Sequence, residues 1–398
     1  MKILILTHRV PFPQNGGYPI VVCNTIRGLV NLGHEVSLVS LNGKKHLHED
    51  DSPDELLSKI NYRVYDIDTS MSLFDGFLTT FSKNAYNVDR YYDSNFEKLL
   101  IGEVRNRQYD IVQFEGLFVA PYVETVRKNC ASKLVYRAHN MEHQIWERLA
   151  QQKNDPLKKI YLKLMSRRIK KYEVQQLGKF DGIAAFTAQD QATIMLFDTK
   201  IPVEIVPVGI DLGHYHPDFE HTEFPSLFFL GSLDWTPNRE GIEWFLQSFH
   251  SDIANDELRV KFYVAGNDIP EEFDDYQVLG KIFIQGEVDD ALEFVNSKAI
   301  MIVPLLSGGG MRVKIVEGMA MQKCIISTSL GAEGINYKSG VNILIANTRE
   351  EFFRAISRCI ADEDYCKAVG VNARRLVEEQ HDVNKVTNKL VELYRQLL

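Results

Sequence analysis

Short apolar segments alternate with helical segments along almost the whole chain, and this alternation limits the possible folds more than any other feature. In the first half, segments typical of buried strands cover residues 2–6, 35–40, 60–66, 111–114, 134–137 and 182–186. Residues 19–32, after the first of these strands, follow a helical pattern that Gly33 ends. Continuous apolar strands separated by helices indicate a parallel sheet that is covered on both faces. We therefore predict an α/β protein.

A second series of the same kind begins near residue 200. Its predicted strands cover residues 203–206, 227–230, 260–265, 282–285, 299–304, 324–327 and 343–346. Because 398 residues exceed one ordinary core, we predict two Rossmann-like doubly wound domains, at residues 1–199 and 200–383. The last helix, residues 384–398, carries its apolar side chains on one face, and it either caps the second domain or packs back on the first.

Composition excludes some classes of protein. The net charge of −9 argues against a nucleic-acid partner, because phosphate backbones attract basic surfaces. Five cysteines are scattered without a C-x-x-C pair, which indicates reduced thiols and neither a disulfide framework nor a zinc site.

The amino-terminal segment does not have the pattern of an export signal. Its apolar run is broken at once by His8, Arg9 and Pro11, whereas a signal peptide needs a longer apolar region and a cleavage site. No segment approaches the roughly 20 apolar residues of a spanning helix. We expect the protein in the cytoplasm.

The most informative local motif lies at residues 304–334. An apolar run ends in Ser307 and three glycines, and Arg312, Lys314 and Glu317 follow at the start of a predicted helix. Glycines allow backbone N–H groups to approach an oxyanion, and a helix start adds its positive dipole end. The Arg and Lys side chains add fixed charge. The motif predicts a site for a nucleoside diphosphate carrying a sugar, with a plain turn before an ordinary helix as the alternative.

Two other nucleotide-binding classes fit poorly. The first turn, residues 7–17, lacks the G-x-G-x-x-G sequence of nicotinamide and flavin enzymes, and no acidic residue follows the second strand. The chain also has no G-x-x-x-x-G-K-[ST] loop, which argues against a nucleotide triphosphatase.

The chain resembles the glycosyltransferase family 4 enzymes. The resemblance includes the Asn15-Gly16-Gly17 loop with the following helix and NLGHEVSLVSL, and YRAHN in the middle of the first half. It continues through VPVGIDLGHYHP, FLGSLDWTPNREGIEWFL and the helix around Glu317. This resemblance implies the GT-B architecture, in which two Rossmann-like domains face a cleft. The second domain would hold the nucleotide sugar and the first the acceptor.

The resemblance assigns donor-binding roles to the glycine motif. Glu317 matches the second glutamate of the family's E-x7-E motif and would hold the donor ribose. Gly309 occupies the place of the first glutamate, which is a departure from the family pattern. Backbone N–H groups of Gly310, Met311 and Arg312 would do part of that glutamate's work.

A second departure concerns the diphosphate. Ser232 stands where relatives often carry an arginine, with a lysine a few residues later. Arg312 and Lys314 would be the replacements, joined by Arg239. We expect Arg312 and Lys314 to act in catalysis, since they would stabilise charge on the departing diphosphate.

In the first domain, His139 matches a histidine near the reacting sugar in relatives, although a structural histidine after a strand is the alternative. Gly16 and Gly17 resemble the loop that approaches the diphosphate, and an ordinary βα turn is their alternative. Glu142 and His143 are weaker candidates for acceptor binding.

Residues 148–179 form a basic segment in an acidic protein. The segment has ten Lys/Arg against two acids, and its apolar residues follow a helical spacing: Leu157, Ile160, Tyr161, Leu164, Met165 and Ile169. This pattern predicts either an amphipathic helix that rests on anionic lipid or a helix packed on the sheet with a solvated basic face.

The resemblance implies a retaining transferase that moves a sugar from a nucleoside-diphosphate sugar to a glycan or lipid-linked acceptor, in cell-surface polysaccharide synthesis and at the inner face of the membrane. We predict no metal ion and no cofactor beyond this co-substrate. The reasons are that we expect no Asp-x-Asp motif at a strand end before a loop, and that the aspartate pairs at 274–275 and 289–290 fall in predicted surface segments. A non-catalytic nucleotide-sugar-binding protein and a sugar-nucleotide epimerase on the same fold are the alternatives.

Overall fold

Two parallel sheets with helices on their faces form the chain in our computed structural model, which describes residues 1–14, 16–43, 55–69, 88, 90–153, 155–197 and 200–398. The chain divides into two units. The first unit comprises Met1–Gly209 with Val383–Leu398, and the second comprises Ile210–Asp382. The predicted α/β class with two parallel sheets is confirmed.

The first sheet has the strand order β3-β2-β1-β4-β5-β6-β7, and all its strands are parallel. Its strands are β1 (Lys2–Thr7), β2 (Glu35–Gly43), β3 (Asn61–Ile67), β4 (Ile111–Glu115), β5 (Lys133–Ala138), β6 (Gly182–Ala185) and β7 (Val203–Ile205). The helices of this unit are α1 (Gly17–Asn31), α2 (Ser94–Asn106), α3 (Val123–Asn129), α4 (Glu142–Gln152), α5 (Pro156–Leu177), α6 (Ala188–Met195) and α12 (Val383–Leu397).

The central strand β1 shows why its apolar run is continuous. Leu4 and Leu6 face one hydrophobic cluster, whereas Ile3 and Ile5 face another on the opposite side of the sheet. Successive side chains of a strand point to opposite faces. A strand covered by helices on both faces therefore needs apolar residues at every position.

The strand order reverses between β1 and β4. Chain order runs outward from β1 through β2 to β3 on one side, and from β4 to β7 on the other. In doubly wound sheets, ligands bind beyond the carboxyl ends of the strands at such a reversal. Thr7 and Glu115 pair in register at this point, at the ends of β1 and β4.

The second sheet has the order β10-β9-β8-β11-β12-β13, again parallel. Its strands are β8 (Glu223–Leu230), β9 (Lys261–Ala265), β10 (Ile282–Gly286), β11 (Lys298–Val303), β12 (Cys324–Ser327) and β13 (Leu344–Ile345). The helices are α7 (Thr236–Ala254), α8 (Ala291–Asn296), α9 (Val313–Ala320), α10 (Arg349–Ala361) and α11 (Glu363–Gln380). This order also reverses, between β8 and β11.

The strand predicted at 203–206 lies elsewhere than we expected. We assigned it to the second series, but β7 pairs with β6 and forms the outer strand of the first sheet. Two of its three residues are half-buried and the middle one is exposed to solvent. So short a strand carries no pattern that identifies its partner, and the first unit accordingly runs on to Gly209.

The last helix, α12, belongs to the first unit. Val386, Leu390, Leu393 and Tyr394 pack in the same cluster as Ile3 and Ile5 of β1. The helix also lies very close to α1, because a Cβ atom built on Gly28 would overlap the Oγ1 of Thr387. The apolar face of α12 thus completes one side of the first sheet.

The close packing of α1 on α12 yields a prediction. Replacing Gly28 with alanine should destabilise the first unit by about 1–3 kcal/mol, since the new methyl group has no room against Thr387. Gly102 in α2 is the matched control, because a Cβ there meets nothing within 4 Å. Gly102→Ala should stabilise by up to about 1 kcal/mol. Urea unfolding of both variants measures this difference, and equal midpoints would contradict the proposed packing.

Candidate functional site

The segment between β11 and α9, residues 304–312, forms what we call the glycine loop. Gly308 and Gly310 have φ angles of 104° and 77°, which favour glycine. A Cβ on Gly308 would also lie 2.8 Å from the Nη2 of Arg312 and 3.2 Å from the ring of Trp235. Gly309 does not have a positive φ angle. The loop conformation therefore requires glycine on both sides of residue 309 but gives no backbone reason for glycine at 309 itself.

Arg312 turns back onto this loop. Its Nη1 donates to the carbonyl oxygen of Gly309 and, at 3.1 Å, to that of Gly310. The guanidinium carbon lies 5.0 Å from the ring centroid of Trp235, and the residue is only 7% exposed. In this arrangement Arg312 holds the loop in place. Its predicted direct contact with a diphosphate stays a prediction.

Lys314, in the first turn of α9, reaches the end of β8. Its Nζ donates to the carbonyl oxygen of Leu230 at 3.1 Å and to the Oδ1 of Asn238 at 3.0 Å. It also lies 4.3 Å from the ring centroid of Phe229. The pKa of Lys314 is lowered to about 7. Burial is the main cause, the charge of Arg312 adds to it, and the charge of Glu317 opposes both.

Gly231 makes room for this ammonium group. A Cβ at Gly231 would lie 2.6 Å from the Nζ of Lys314. A Cβ at Gly266, which follows the neighbouring strand β9, would overlap the backbone of Gly231. Both glycines follow the carboxyl ends of adjacent strands. Neither position has room for a side chain, and this lets the Lys314 ammonium reach the end of β8.

Glu317 lies one turn after Lys314 on α9. Its Oε1 accepts a hydrogen bond of 2.8 Å from the hydroxyl of Tyr215. Burial raises the pKa of the Glu317 carboxyl, whereas the Tyr215 hydrogen bond and the charge of Lys314 lower it. Tyr215 is in turn held at its carbonyl oxygen by the Nη1 of Arg374, at 3.0 Å. Sequence reasoning missed Tyr215, because it precedes Glu317 by 102 residues.

The start of α7 packs against the glycine loop. Ser307 donates to the Oε2 of Glu240 at 3.1 Å, and a Cβ at Gly241 would lie 2.5 Å from the carbonyl oxygen of Pro304. The predicted donor residue Arg239 forms a surface ion pair with Glu272. Its guanidinium is thus committed to a carboxylate, while its neighbour Asn238 contacts Lys314.

Ser232 occupies the position where relatives often carry an arginine. Its hydroxyl donates to the Oδ2 of Asp268 at 3.2 Å and accepts from the backbone N–H of Asp234. The residue therefore shapes the turn between β8 and α7. The positive charge at this end of β8 comes from Lys314.

In the first unit, His139 and Glu115 form a close pair. The Nε2 of His139 lies 2.5 Å from the Oε2 of Glu115. His139 directly follows β5 and Glu115 ends β4, so both lie at the carboxyl edge of the sheet. The Glu115 side chain is fully buried and that of His139 is 10% exposed. An ionised carboxylate only accepts, so Nε2 carries the proton and Nδ1 is the acceptor in the neutral ring.

Sequence reasoning missed Glu115. The predicted strand stopped at Phe114, although a carboxylate at the end of an apolar strand beside the reversal point is a usable signal. Glu115 pairs in register with Arg137 on β5. Arg137 is 1% exposed, and its Nη2 donates to the carbonyl oxygen of Pro207 at 3.3 Å. Burial lowers the pKa of Arg137, and the charge of Glu115 opposes this effect.

A buried polar chain supports this carboxylate from behind. The amide nitrogen of Gln113 donates to the Oε1 of Glu115, and the hydroxyl of Tyr394 donates to the Oε1 of Gln113. Tyr394 lies on α12, so the packing of that helix in the first unit brings the Tyr394 hydroxyl to Gln113. The orientation of Glu115 therefore depends on the last helix of the chain.

The ring of Tyr18 covers His139 from α1. The two ring centroids are 4.8 Å apart, and the Tyr18 hydroxyl donates to the carbonyl oxygen of Glu115 at 3.4 Å. Gly16 precedes α1 with a φ angle of 99° and no side-chain cap, and Gly17 is the first helical residue. Asn15 lies outside the described residues. The structure thus gathers Gly16, Gly17 and His139 in one unit and the glycine loop in the other.

His143 and Glu142 contact Glu173 of the neighbouring helix α5. The Nδ1 of His143 lies 2.5 Å from the Oε2 of Glu173, which comes from α5 and also accepts from both backbone N–H groups at the start of α4. His143 is 3% exposed. Burial and the charge of Glu173 raise the pKa of Glu142 to about 8. This pair joins α4 to α5, so a role in acceptor binding stays only a prediction.

An Asp-x-Asp sequence, Asp66 to Asp68, ends the outermost strand β3 of the first sheet. The expectation that no Asp-x-Asp motif lies at a strand end was therefore wrong. Asn42 donates to the Oδ1 of Asp66 at 2.8 Å. The strand is separated from β4 by β2 and β1, so the pair lies away from the strand ends that carry Glu115 and His139.

The basic segment, residues 148–179, includes the end of α4 and the whole of α5. Helix α5 begins where Asp155 accepts hydrogen bonds from the backbone N–H groups of Leu157 and Lys158. Its apolar residues divide into two groups. Met165 and Ile169 are buried. The other four are exposed by 78%, 57%, 39% and 42%: Leu157, Ile160, Tyr161 and Leu164. No described helix has both the length and the apolar character of a membrane span.

Two doubly wound parallel-sheet units, with a glycine loop and a basic residue at the carboxyl edge of the second sheet, form the architecture expected of a GT-B protein. Residues 15–214 match the pattern of the Glycosyltransferase Family 4, and residues 224–362 match that of the Glycosyl transferases group 1. The first match covers half of the chain. The chain belongs to glycosyltransferase family 4.

Individual relatives are distant. Over 98% of both chains, the protein is 23% identical to an "uncharacterized 44.6 kDa protein in cps region" of Klebsiella pneumoniae. Sucrose-phosphate synthase from Thermosynechococcus elongatus has a similar structure, with a TM-score of 0.75, 15% identity and coverage of 100% of this chain and 99% of that one. Alr3699/HepE of Anabaena, solved in complex with UDP, has a TM-score of 0.65 and 14% sequence identity, with 100% of both chains covered. These structural likenesses support the GT-B fold.

Proposed function

We propose that the protein is a retaining glycosyltransferase that moves a sugar from a nucleoside-diphosphate sugar to a glycan or lipid-linked acceptor. The observation that carries this proposal is the position of Lys314. Its ammonium group is partly buried at the open end of β8, one helical turn before Glu317. HepE has been solved with UDP and with UDP-glucose, which supports a donor of this class.

The chemistry of the second unit suits a departing diphosphate. The bond between the sugar and the diphosphate of the donor breaks during transfer, and negative charge builds up on the departing diphosphate. A fixed cation in a poorly solvated place stabilises this charge strongly. Lys314 supplies this charge. Its lowered pKa reflects burial and the nearby charge of Arg312, which Glu317 opposes, and an arriving diphosphate would relieve the cost of the buried charge.

Glu317 would bind the two hydroxyls of the donor ribose. The Tyr215 hydroxyl already donates to one carboxylate oxygen, which leaves acceptor positions for a diol. Gly309 cannot contact the sugar with a side chain. Instead, backbone N–H groups at residues 310–312 would meet the donor, in a loop whose carbonyl oxygens Arg312 already holds.

The first unit would bind the acceptor, with His139 directed to a sugar hydroxyl. In the tautomer set by Glu115, the Nδ1 of His139 accepts a hydrogen bond. Glu115 would act as a positioning residue, because it touches His139 and lies fully out of contact with solvent. A carboxylate that orients a histidine ring is a common arrangement in enzymes.

The protein would act without a metal ion and in cell-surface polysaccharide synthesis. Lys314 provides the positive charge that a divalent ion supplies in other transferases. The setting is supported by the relative from a cps region. We further propose that α5 rests on an anionic membrane surface, because its exposed apolar residues lie among Lys158, Lys159 and Lys163.

Product analysis tests the proposed reaction. The purified protein is incubated with a panel of nucleotide sugars, with and without lipid-linked acceptors, in buffer with and without EDTA. Transfer with the donor's anomeric configuration kept, unaffected by EDTA, is expected. A changed sugar on the same nucleotide without acceptor would indicate an epimerase. Tight binding without turnover would indicate a non-catalytic binding protein, and inversion would contradict the retaining mechanism.

Lys314 should control donor binding and turnover. Lys314→Met should lower kcat/KM by on the order of a hundredfold to a thousandfold, because a preorganised donor to the leaving group is lost. Lys323→Met is the matched control, since burial also lowers the pKa of Lys323, to about 8, in the same unit. Near-normal activity of Lys314→Met would contradict the proposed diphosphate site.

The same pair of proteins gives a pH prediction. Free Lys314 loses its proton as the pH rises through about 7, so binding of the nucleoside diphosphate should weaken by up to about tenfold per pH unit above that value. Isothermal titration between pH 6 and 9 measures this. Lys314→Met should remove the dependence and Lys323→Met should keep it.

Glu115 should affect turnover more than donor binding. Glu115→Gln should lower kcat by at least about tenfold with little change in the donor KM, because only His139 loses its orientation. Glu103→Gln is the matched control, since Glu103 is another buried carboxylate of the first unit, ion-paired with Arg63 and Arg107. If kcat falls only as much as in the control, Glu115 has a merely structural role.

The membrane proposal predicts flotation with vesicles that contain phosphatidylglycerol. Leu157→Ser/Ile160→Ser should reduce binding, and added salt should weaken it, because both apolar and ionic contacts contribute. Leu279→Ser is the control, since Leu279 is fully exposed in the second unit. If wild-type protein fails to float at low ionic strength, α5 simply has a solvated face.

A further inference from the structure

Three cysteines of the second unit come together in its core. Cys324 begins β12, Cys359 lies near the end of α10, and Cys366 lies in the second turn of α11. Their sulfur atoms all lie within 4.8 Å of one another, and those of Cys324 and Cys359 are 3.7 Å apart. The residues are exposed by only 1%, 0% and 4%. Scattered positions in the sequence had argued against a metal site.

The other two cysteines behave differently. The thiol of Cys23 donates to the carbonyl oxygen of Pro11 at 3.0 Å, and that of Cys130 donates to the carbonyl oxygen of Val126 at 3.3 Å. In contrast, the three clustered thiols face one another. Single buried cysteines usually act as small apolar residues. Convergence of three sulfur atoms from three separate elements needs a further explanation.

The spacing fits a trigonal metal site. Thiolates about 2.3 Å from a metal ion in a plane have sulfur atoms about 4.0 Å apart. One pair of sulfur atoms is 3.7 Å apart and all three lie within 4.8 Å of one another, so their spacing is compatible with this value. Within the described part of the chain, no histidine, aspartate or glutamate joins the three sulfur atoms. Zinc in a structural site needs four ligands, and these three sulfur atoms supply only three. Three soft ligands suit copper(I).

The surroundings of the three sulfur atoms are apolar. The cluster lies among apolar side chains such as Val369, Phe352 and Ile356, which exclude water. Binding would release the thiol protons to solvent and replace them with one cation.

We propose that Cys324, Cys359 and Cys366 form a closed, three-coordinate site for copper(I). The bound ion would join β12, α10 and α11 directly. Of these, α11 also packs on the donor helix α9, because a Cβ at Gly370 would overlap the backbone at Gln322, and Arg374 donates to the carbonyl oxygen of Ala320 at 2.6 Å. The ion would thereby brace the unit that carries the glycine loop.

Copper(I) titration of the reduced, full-length protein against a chromogenic copper(I) chelator tests this site. One ion per chain is expected, with a rise in the temperature of unfolding. Cys359→Ser should lose stoichiometric binding, and Cys130→Ser, the matched control, should keep it. Because a hydroxyl at position 359 could also disturb folding, X-ray absorption of the copper-loaded wild-type protein provides an independent readout. It should show three sulfur neighbours at about 2.3 Å.

Several results would overturn the proposal. These are absence of binding by the wild-type protein, equal uptake by Cys359→Ser, or nitrogen and oxygen neighbours in the absorption spectrum. Formation of a Cys324–Cys359 disulfide under mild oxidation, without copper uptake by the reduced protein, would identify a redox pair in place of a metal site.

Discussion

The contact between the Lys314 ammonium and the end of β8 is the interaction on which the second unit's site depends. The ammonium donates to a carbonyl oxygen and to an amide oxygen, and Gly231 must lack a side chain to admit it. Such a cation is poorly solvated and has a lowered pKa. The glycine loop, the start of α7 and Glu317 are arranged around it. The proposed nucleoside-diphosphate donor would bring negative charge to this cation.

The first unit uses the same kind of sheet edge for different chemistry. Parallel strands end on a common side, so Glu115 and His139 meet although 24 residues separate them. The buried carboxylate is balanced by the neighbouring Arg137 and oriented by Gln113 and Tyr394. The second unit thus has a buried cation at the carboxyl edge of its sheet, and the first has a histidine oriented by a carboxylate at the carboxyl edge of its own.

Local motifs could be predicted and side-chain directions could not. Lys314 and Glu317 lie within one turn of a helix, so their proximity follows from the sequence. Arg312 is equally close in sequence, yet its guanidinium turns back to the loop carbonyl oxygens because Trp235, from another segment, packs against it. The basic segment was predicted as a helix, but only packing decided that Met165 and Ile169 are buried while Leu157 and Ile160 are exposed.

By itself, the sequence determined the α/β class, the two parallel sheets and the family, because strand and helix patterns and motifs are local properties of the chain. The tertiary structure decided which distant residues meet. It brought Tyr215 to Glu317, Glu115 to His139, and Cys324 to Cys359. It also placed β7 and α12 in the first unit. Pairings of this kind depend on strand order and helix packing, which no short stretch of sequence encodes.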